Sequence, residues 1–290
     1  MIEDSFFRQV ILDTLGQETK IRSINRPGSG CINNAASLDT DHGTYFVKYN
    51  SAIPVDMFEN EARGLSILRQ TGVIGVPEPL GYGKAGKFEY LLLERIVEAP
   101  PVRDFWPEFG KSLARLHKLN SSPTFGLDHD NYIGRLPQRN SPDISWSRFF
   151  IENRLEFQLK MAVDNRKIDG DLYHKFQNLF GKLPDLLPQE PPALLHGDLW
   201  SGNFMVGGDG KAVVIDPAVY FGNREAELAF TRMFGGFNEY FYEAYHESWP
   251  LEKGFDERVE IYNLYPGLVH LNMFGAMYLQ GIRDTLSRYV

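Results

Sequence analysis

Apolar residues recur along this chain at two different spacings, and the change from one to the other divides it. Residues 4–16, DSFFRQVILDTLG, carry apolar side chains at 6, 7, 10, 11 and 15. That is helical spacing, with Asp4 or Ser5 as the N-cap and Gly16 as the stop. Three β-like pieces follow, KIRSINR, CINNAASLDT and GTYFVKYN, separated by the turn signals PGSG and DHG. A helix is expected from about Asp56 to Arg69. GVPEPLGYGKAGKFEYLLLER then supplies two more strands around a Gly-Lys turn.

Beyond residue 95 the period becomes helical. WPEFGKSLARLHKL, ISWSRFFIENRLEFQLKMAV, GDLYHKFQNLFGKL, REAELAFTRMF and EYFYEAYHESW place apolar residues three and four apart. ERVEIYNLYPGLVHLNMFGAMYLQGIRD does the same, with a break expected near Pro266. RIVEAPPV, residues 95–102, reads as a hinge. The expected fold is therefore α+β and two-lobed, with a small β-rich lobe over 1–95 and a larger helical lobe over 96–290. A cleft between such lobes is a common place for a ligand.

Charge and composition narrow the partners. The formal net charge is −8, which disfavours nucleic acid because phosphate neutralisation needs a basic face. A neutral or cationic substrate fits better. Cys31 is the only cysteine, so no intrachain disulfide can form, as suits a reducing cytoplasm. MIEDSFFRQV has no basic start or long apolar run, and no stretch of 18 apolar residues exists, so neither secretion nor a membrane span is expected.

Candidate chemistry centres on LLHGDLWSGN, residues 194–203. Asp198 and Asn203 have the spacing D-x-x-x-x-N, which by itself describes an Asx-rich turn equally well. Thirteen residues after Asn203, the apolar run KAVVID ends in Asp216. Kinase-type phosphoryl transfer needs a carboxylate at the attacking hydroxyl, and an amide and a second carboxylate to hold magnesium on the nucleotide phosphates. Asp198, Asn203 and Asp216 supply these in the required order, and hard oxygen donors suit magnesium. Upstream, FVKY puts Lys48 inside a strand, where it is either a solvated edge lysine or a phosphate-positioning cation. Glu61 on the following helix is its expected carboxylate, with Glu59 as a rival on another face. Gly28-Ser29-Gly30 is a hairpin turn whose backbone N–H groups could cradle phosphate, although Asn33 stands where G-x-G-x-x-G has its third glycine. Taken together these elements point to ATP-dependent phosphotransfer.

The pieces PGSGCIN, YFVKYN, MFENEARGL, LLHGDLWSGN, IDPAVYFGNREAELAF and MFGGFNEYFYEAY resemble the fructosamine kinase (ketosamine 3-kinase) family, within the aminoglycoside-phosphotransferase-like kinases of protein-kinase-like fold. Trp200 and Ser201 inside HGDLWSGN, and the sequence Asp216-Pro217-Ala218, are the specific marks. The resemblance implies ATP and Mg2+ as cofactors. It implies phosphorylation of the 3-hydroxyl of ketosamines, including glycated lysine or peptides, followed by loss of the sugar. It makes Asp198 the base, Asn203 and Asp216 the magnesium ligands and Lys48 with Glu61 the phosphate-positioning pair. Glu94, Arg95 and Ile96 would line the hinge, their backbone meeting adenine.

Other residues carry weaker expectations. Trp200 either packs its lobe or walls the sugar site. His196 is read as loop scaffolding, and Trp146, Trp249, Tyr262 and His270 as core. Cys31 follows Gly30 in the phosphate turn, where oxidation could join two chains into a homodimer. REAELAF begins about eight residues after Asp216, which leaves no room for a phosphorylated activation segment. Two alternatives stay open: a small-molecule kinase for aminoglycosides, choline or homoserine, and an inactive nucleotide-binding regulator.

Overall fold

The computed structural model describes residues 4–26 and 33–290. Its contacts divide the chain into two units, Met1–Phe105 with Phe204–Pro217, and Trp106–Asn203 with Ala218–Val290.

In the first unit, helix α1 (Asp4–Leu15) precedes strands β1 (Ile21–Asn25), β2 (Asn34–Thr40) and β3 (Thr44–Asn50). Helix α2 (Met57–Gln70) and strands β4 (Pro79–Ala85) and β5 (Phe88–Glu94) follow. The five strands form one antiparallel sheet in the order β1-β2-β3-β5-β4. Alternation along β3 sends Val47 and Tyr49 to one face and Lys48 to the other. The first face meets Phe7, Val10 and Ile11 of α1, which with Ala36, Leu38, Tyr90 and Leu92 make a closed core. Phe6, Tyr49 and Phe88 close its edge with ring contacts of 5.4–5.8 Å.

The second unit begins with α3 (Phe105–Leu119), whose first residue the contact division leaves in the first unit. It continues through the hairpin β6 (Asn131–Ile133) and β7 (Leu136–Gln138). Helix α4 (Trp146–Phe149) passes through a π-helical turn, Phe150–Leu155, into α5 (Glu156–Asp164), and α6 (Gly170–Leu186) follows. The short strand β8 (Ala193–Leu195) precedes the hairpin β9 (Phe204–Val206) and β10 (Ala212–Val214) of the first unit. Then come β11 (Tyr220–Gly222), α7 (Arg224–Thr231), α8 (Glu239–Ser248), α9 (Phe255–Tyr262), α10 (Leu264–Phe274) and α11 (Leu279–Tyr289). Strand β11 pairs antiparallel with β8. Trp146, Phe149, Phe150, Leu159, Phe176, Tyr262 and Leu268 are buried among these helices. Among the described residues no helix is long and apolar enough to cross a membrane.

Three sequence expectations change here. The first unit extends past residue 95 to Phe105. It also takes in the hairpin β9–β10, which the sequence reading had left in the helical lobe. A bridge between Gly75 and Val213, with the Val214 N–H donating to the Gly75 carbonyl at 2.9 Å, ties this hairpin to the loop after α2. A Cβ at position 75 would lie 2.7 Å from the Ala212 carbonyl oxygen, so glycine permits the approach. Finally, the C-terminal pattern breaks at Asn263 and Gly275 and not at Pro266. Pro266 is the third residue of α10, where no i−4 bond is required of it.

Two helix glycines make opposite predictions. A Cβ on Gly110 in α3 would come 2.2 Å from the Phe241 carbonyl oxygen of α8, whereas one on Gly181 in α6 meets nothing within 4 Å. Gly110→Ala should destabilise by about 1–3 kcal/mol, and Gly181→Ala should stabilise by about 0.4–1 kcal/mol. Chemical denaturation of both variants checks the signs.

Candidate active site

Lys48 lies on the sheet face opposite α1 and is 8% exposed. A buried ammonium requires partners, and two carboxylates provide them. Its Nζ is 2.6 Å from Oε1 of Glu61 on α2 and also donates to Oδ1 of Asp216. Burial alone would lower the pKa of this ammonium. The charges and hydrogen bonds of Asp216 and Glu61 outweigh that effect and hold it above the ordinary lysine value. Glu59 is not among the partners of Lys48; its carboxylate helps burial raise the pKa of the Tyr82 hydroxyl on β4. Helix α2 turns Glu61 toward Lys48 because Phe58, Ala62, Leu65 and Leu68 bury its apolar stripe.

Asp216 follows β10 with φ +57°, in the left-handed region that Asp tolerates better than most residues. Its side chain stays 46% exposed, so the carboxylate is reachable by a ligand as well as by Lys48. At the end of β5, Glu94 is occupied locally. Its N–H donates to Glu78 O at 2.8 Å and its Oε2 accepts from Glu78 N–H at 3.1 Å. Arg69 reaches the same carboxylate at 3.7 Å. Arg95 and Ile96 continue outside the strand, beside a hollow of about 800 Å³ in this unit that Ile74, Val76, Gly208 and Val213 also line. Gly28, Ser29, Gly30 and Cys31, the expected phosphate turn and its thiol, lie outside the described residues.

The second unit holds the loop that follows β8. The backbone N–H groups of His196 and Gly197 donate to Oε2 and Oε1 of Glu227 at 3.1 and 2.7 Å. Gly197 has φ +85°, and a Cβ there would lie 2.0 Å from the Ala218 carbonyl oxygen, so only glycine fits. The His196 carbonyl accepts from Ala218 N–H at 2.8 Å, and the Asp198 N–H donates to His196 Nδ1 at 3.3 Å. His196 is buried and bonded to backbone, as its scaffolding reading requires. Asn203 closes the loop: its Nδ2 donates to the carbonyl of Asp198 at 2.8 Å and to its Oδ2 at 3.0 Å. Asn203 is therefore oriented with Oδ1 as its remaining side-chain acceptor. Trp200 is half-buried, folded over Gly202 and edge-on to Phe234 at 5.4 Å.

Asn203 Oδ1 in the second unit and the accessible Asp216 carboxylate in the first are each oxygen donors of the kind magnesium prefers. Among the described residues no group of three His, Cys, Asp or Glu side chains could hold a metal ion.

Glu227 and His117 are the functional residues that the sequence reading missed. Glu227 is fully surrounded, and besides the two N–H groups it takes His117 Nε2 at 2.8 Å. His117 Nδ1 in turn lies 2.8 Å from the Tyr245 hydroxyl. The available signal was in REAELAF, where Glu225 and Glu227 share α7 with Leu228, Ala229 and Phe230. Carboxylates within so apolar a helix are buried only when paired. Of the four residues read as core, Trp146 and Tyr262 are buried, while Trp249 and His270 are half-buried.

The fold these parts belong to is protein-kinase-like, with an antiparallel sheet in the N-lobe and a helical C-lobe. Its structure matches an aminoglycoside phosphotransferase in ternary complex with ADP and hygromycin B at TM-score 0.61. That match has 15% identity and covers 97% of this chain and 94% of the other. A far closer likeness is to a putative fructosamine-3-kinase from Haemophilus somnus, at TM-score 0.88 and 30% identity over 99% of this chain and 97% of that one.

The chain belongs to the fructosamine kinase family, whose model matches residues 4–290. It is 39% identical over 283 residues to a probable ketoamine kinase of Synechocystis sp., covering 97% of this chain and 94% of that protein. With the chloroplastic protein-ribulosamine 3-kinase of Arabidopsis thaliana it shares 38% over 297 residues, covering 100% of this chain and 89% of that protein.

Glu227 yields a pH prediction. Burial would push its carboxyl up, but the His117 hydrogen bond and charge, His196 and the Gly197 N–H hold it below the ordinary value of 4.5. A depressed carboxyl contributes stability that is present above pH 4.5 and is lost as pH falls through the folded-state pKa. Glu227→Gln should therefore be less stable than wild type at pH 7, with a smaller further loss on acidification below pH 4.5. Urea midpoints across pH 3–7 test this.

Proposed function

We propose that this chain is an ATP-dependent kinase of ketosamines, transferring the γ-phosphoryl group of ATP to the sugar 3-hydroxyl. The phosphorylated product is unstable and sheds its sugar, freeing the amine. The observation that carries the reading is the buried Lys48 ammonium, paired with Glu61 and reaching Asp216. The names borne by the family and by the relatives at 38–39% identity support ketosamines over other acceptors.

In this reading Asp198 receives the proton of the attacking hydroxyl, and the amide of Asn203 keeps its carboxylate turned for that task. Lys48, held by Glu61, binds the nucleotide phosphates. Asn203 and Asp216 would be the magnesium ligands, and magnesium would supply neutralisation of phosphate charge. The backbone of Glu94, Arg95 and Ile96 meets the adenine edge, and Trp200 walls the sugar. Glycated lysine and peptide amines are the acceptors, and the cytoplasm, which suits the single cysteine, is the place of action.

Initial rates with ATP and a panel of fructosamine, ribulosamine, aminoglycoside, choline and homoserine acceptors test the substrate class. Turnover confined to the last three would overturn it. Asp198→Asn should lower kcat by about 10²–10⁴ while still binding ATP; near wild-type turnover would remove Asp198 from the role of base.

The two helix glutamates separate cleanly. Glu61→Ala leaves Lys48 without its α2 partner and should raise KM for ATP, whereas Glu59→Ala touches only the Tyr82 contact. Equal effects on ATP saturation would contradict the assignment.

A further inference from the structure

In the second unit, five rings follow one another from the Asp198 loop outward. Trp200 meets Phe234 at 5.4 Å, Phe234 meets His270 at 5.1 Å, and His270 meets Phe274 and Tyr278 at 5.6 and 5.0 Å. Phe234 and Phe274 are 44% and 45% exposed. Exposed apolar patches of this kind mark binding surfaces more often than lone exposed side chains do.

The backbone under Phe234 adds a second, independent observation. The Gly236 N–H donates to the Met233 carbonyl at 3.2 Å, closing a four-residue turn. Its two central residues, Phe234 and Gly235, have φ +54° and +100°. Such mirror-image turns favour Asn, Asp or Gly at the first central position. A phenylalanine there is strained, and because its ring is nearly half exposed, burial does little to offset the strain. Strain retained next to a candidate active site is a functional indicator. What the strained residue achieves here is to stand a ring edge-on against Trp200, two residues from Asp198.

We propose that Phe234 is a specificity-determining residue of the acceptor site. Where Trp200 walls the sugar, Phe234, edge-on to it, begins the surface along which the aglycone lies, meaning the carbon chain beyond the ketosamine nitrogen. This rests on reading the chain as a ketosamine kinase that uses Asp198. A ketosamine has a polyhydroxyl end, which must reach Asp198, and a protonated secondary amine that continues into a carbon chain. Ring faces attract the ammonium, and apolar area removes the methylenes beyond it from water. Phe274 extends the same apolar row past Phe234, so a longer chain has more surface to cover than a short one.

The test uses two acceptors with the same sugar, one built on methylamine and the other on hexylamine. The wild-type protein should prefer the hexylamine adduct. Phe234→Ala should reduce the ratio of kcat/KM between the long and short acceptors by about tenfold. The loss should appear in acceptor KM and not in KM for ATP, and Phe234→Tyr should restore the ratio. Phe234→Gly removes both ring and strain, so it should lose the preference without lowering the thermal midpoint, which separates recognition from folding. Equal losses on both acceptors, or an unchanged ratio, would overturn the proposal while leaving the ketosamine reading intact. If wild type turns over neither adduct, that reading fails and this one with it.

Discussion

Lys48 cannot be buried alone. Its ammonium stands on the face of a five-stranded sheet opposite α1, and leaving it unpaired there would cost more than any single helix contact could return. Two carboxylates from elements far apart in sequence answer that need, Glu61 from α2 and Asp216 from the end of β10. The pairing joins α2, whose buried apolar stripe turns Glu61 to the lysine, to the end of the β9–β10 hairpin, where Asp216 has left-handed backbone. The α1 core on the opposite face keeps the sheet rigid enough for this geometry to hold.

The second unit solves a similar problem in the opposite sense. There the buried group is a carboxylate, Glu227, and its partners are two backbone N–H groups and a histidine. The loop from His196 to Asn203 is not regular structure, so its amides have no ladder to satisfy them. A helix-borne carboxylate supplies what the ladder would have supplied, and the left-handed Gly197 lets the chain turn close to Ala218. In both units, then, a helix carboxylate answers a buried polar need: Glu61 pairs with the Lys48 side chain, and Glu227 holds the backbone of the Asp198 loop.

Much of this was legible in the sequence because it follows local periodicity. Alternation identified β2 to β5, and three- and four-residue spacing identified most of the helices. The match of Lys48 with Glu61 rather than Glu59 follows from which face of α2 is apolar. What stayed hidden depends on contacts between distant residues. Nothing local to KAVVID says that Val214 will bond to Gly75. REAELAF reads as a helix whether or not Glu227 points inward. Pro266 looked like a break because its ring forbids an interior helix position, yet it sits in a first turn that tolerates it. The left-handed backbone of Phe234 has no sequence signal at all, since the residue type argues against it.

The stretch from Ala218 to Asn223 is tied residue by residue within the second unit. Ala218 donates to His196 and accepts from Gln138, and Val219 accepts from Asn131. Tyr220 to Gly222 complete the strand pair with β8, and Asn223 caps α7 through the N–H of Glu225. Each of these residues holds a neighbour in place, so a shift of this stretch would disturb the loop that carries Asp198. A substitution anywhere along it would therefore be felt at Asp198, even at a position that never touches that carboxylate.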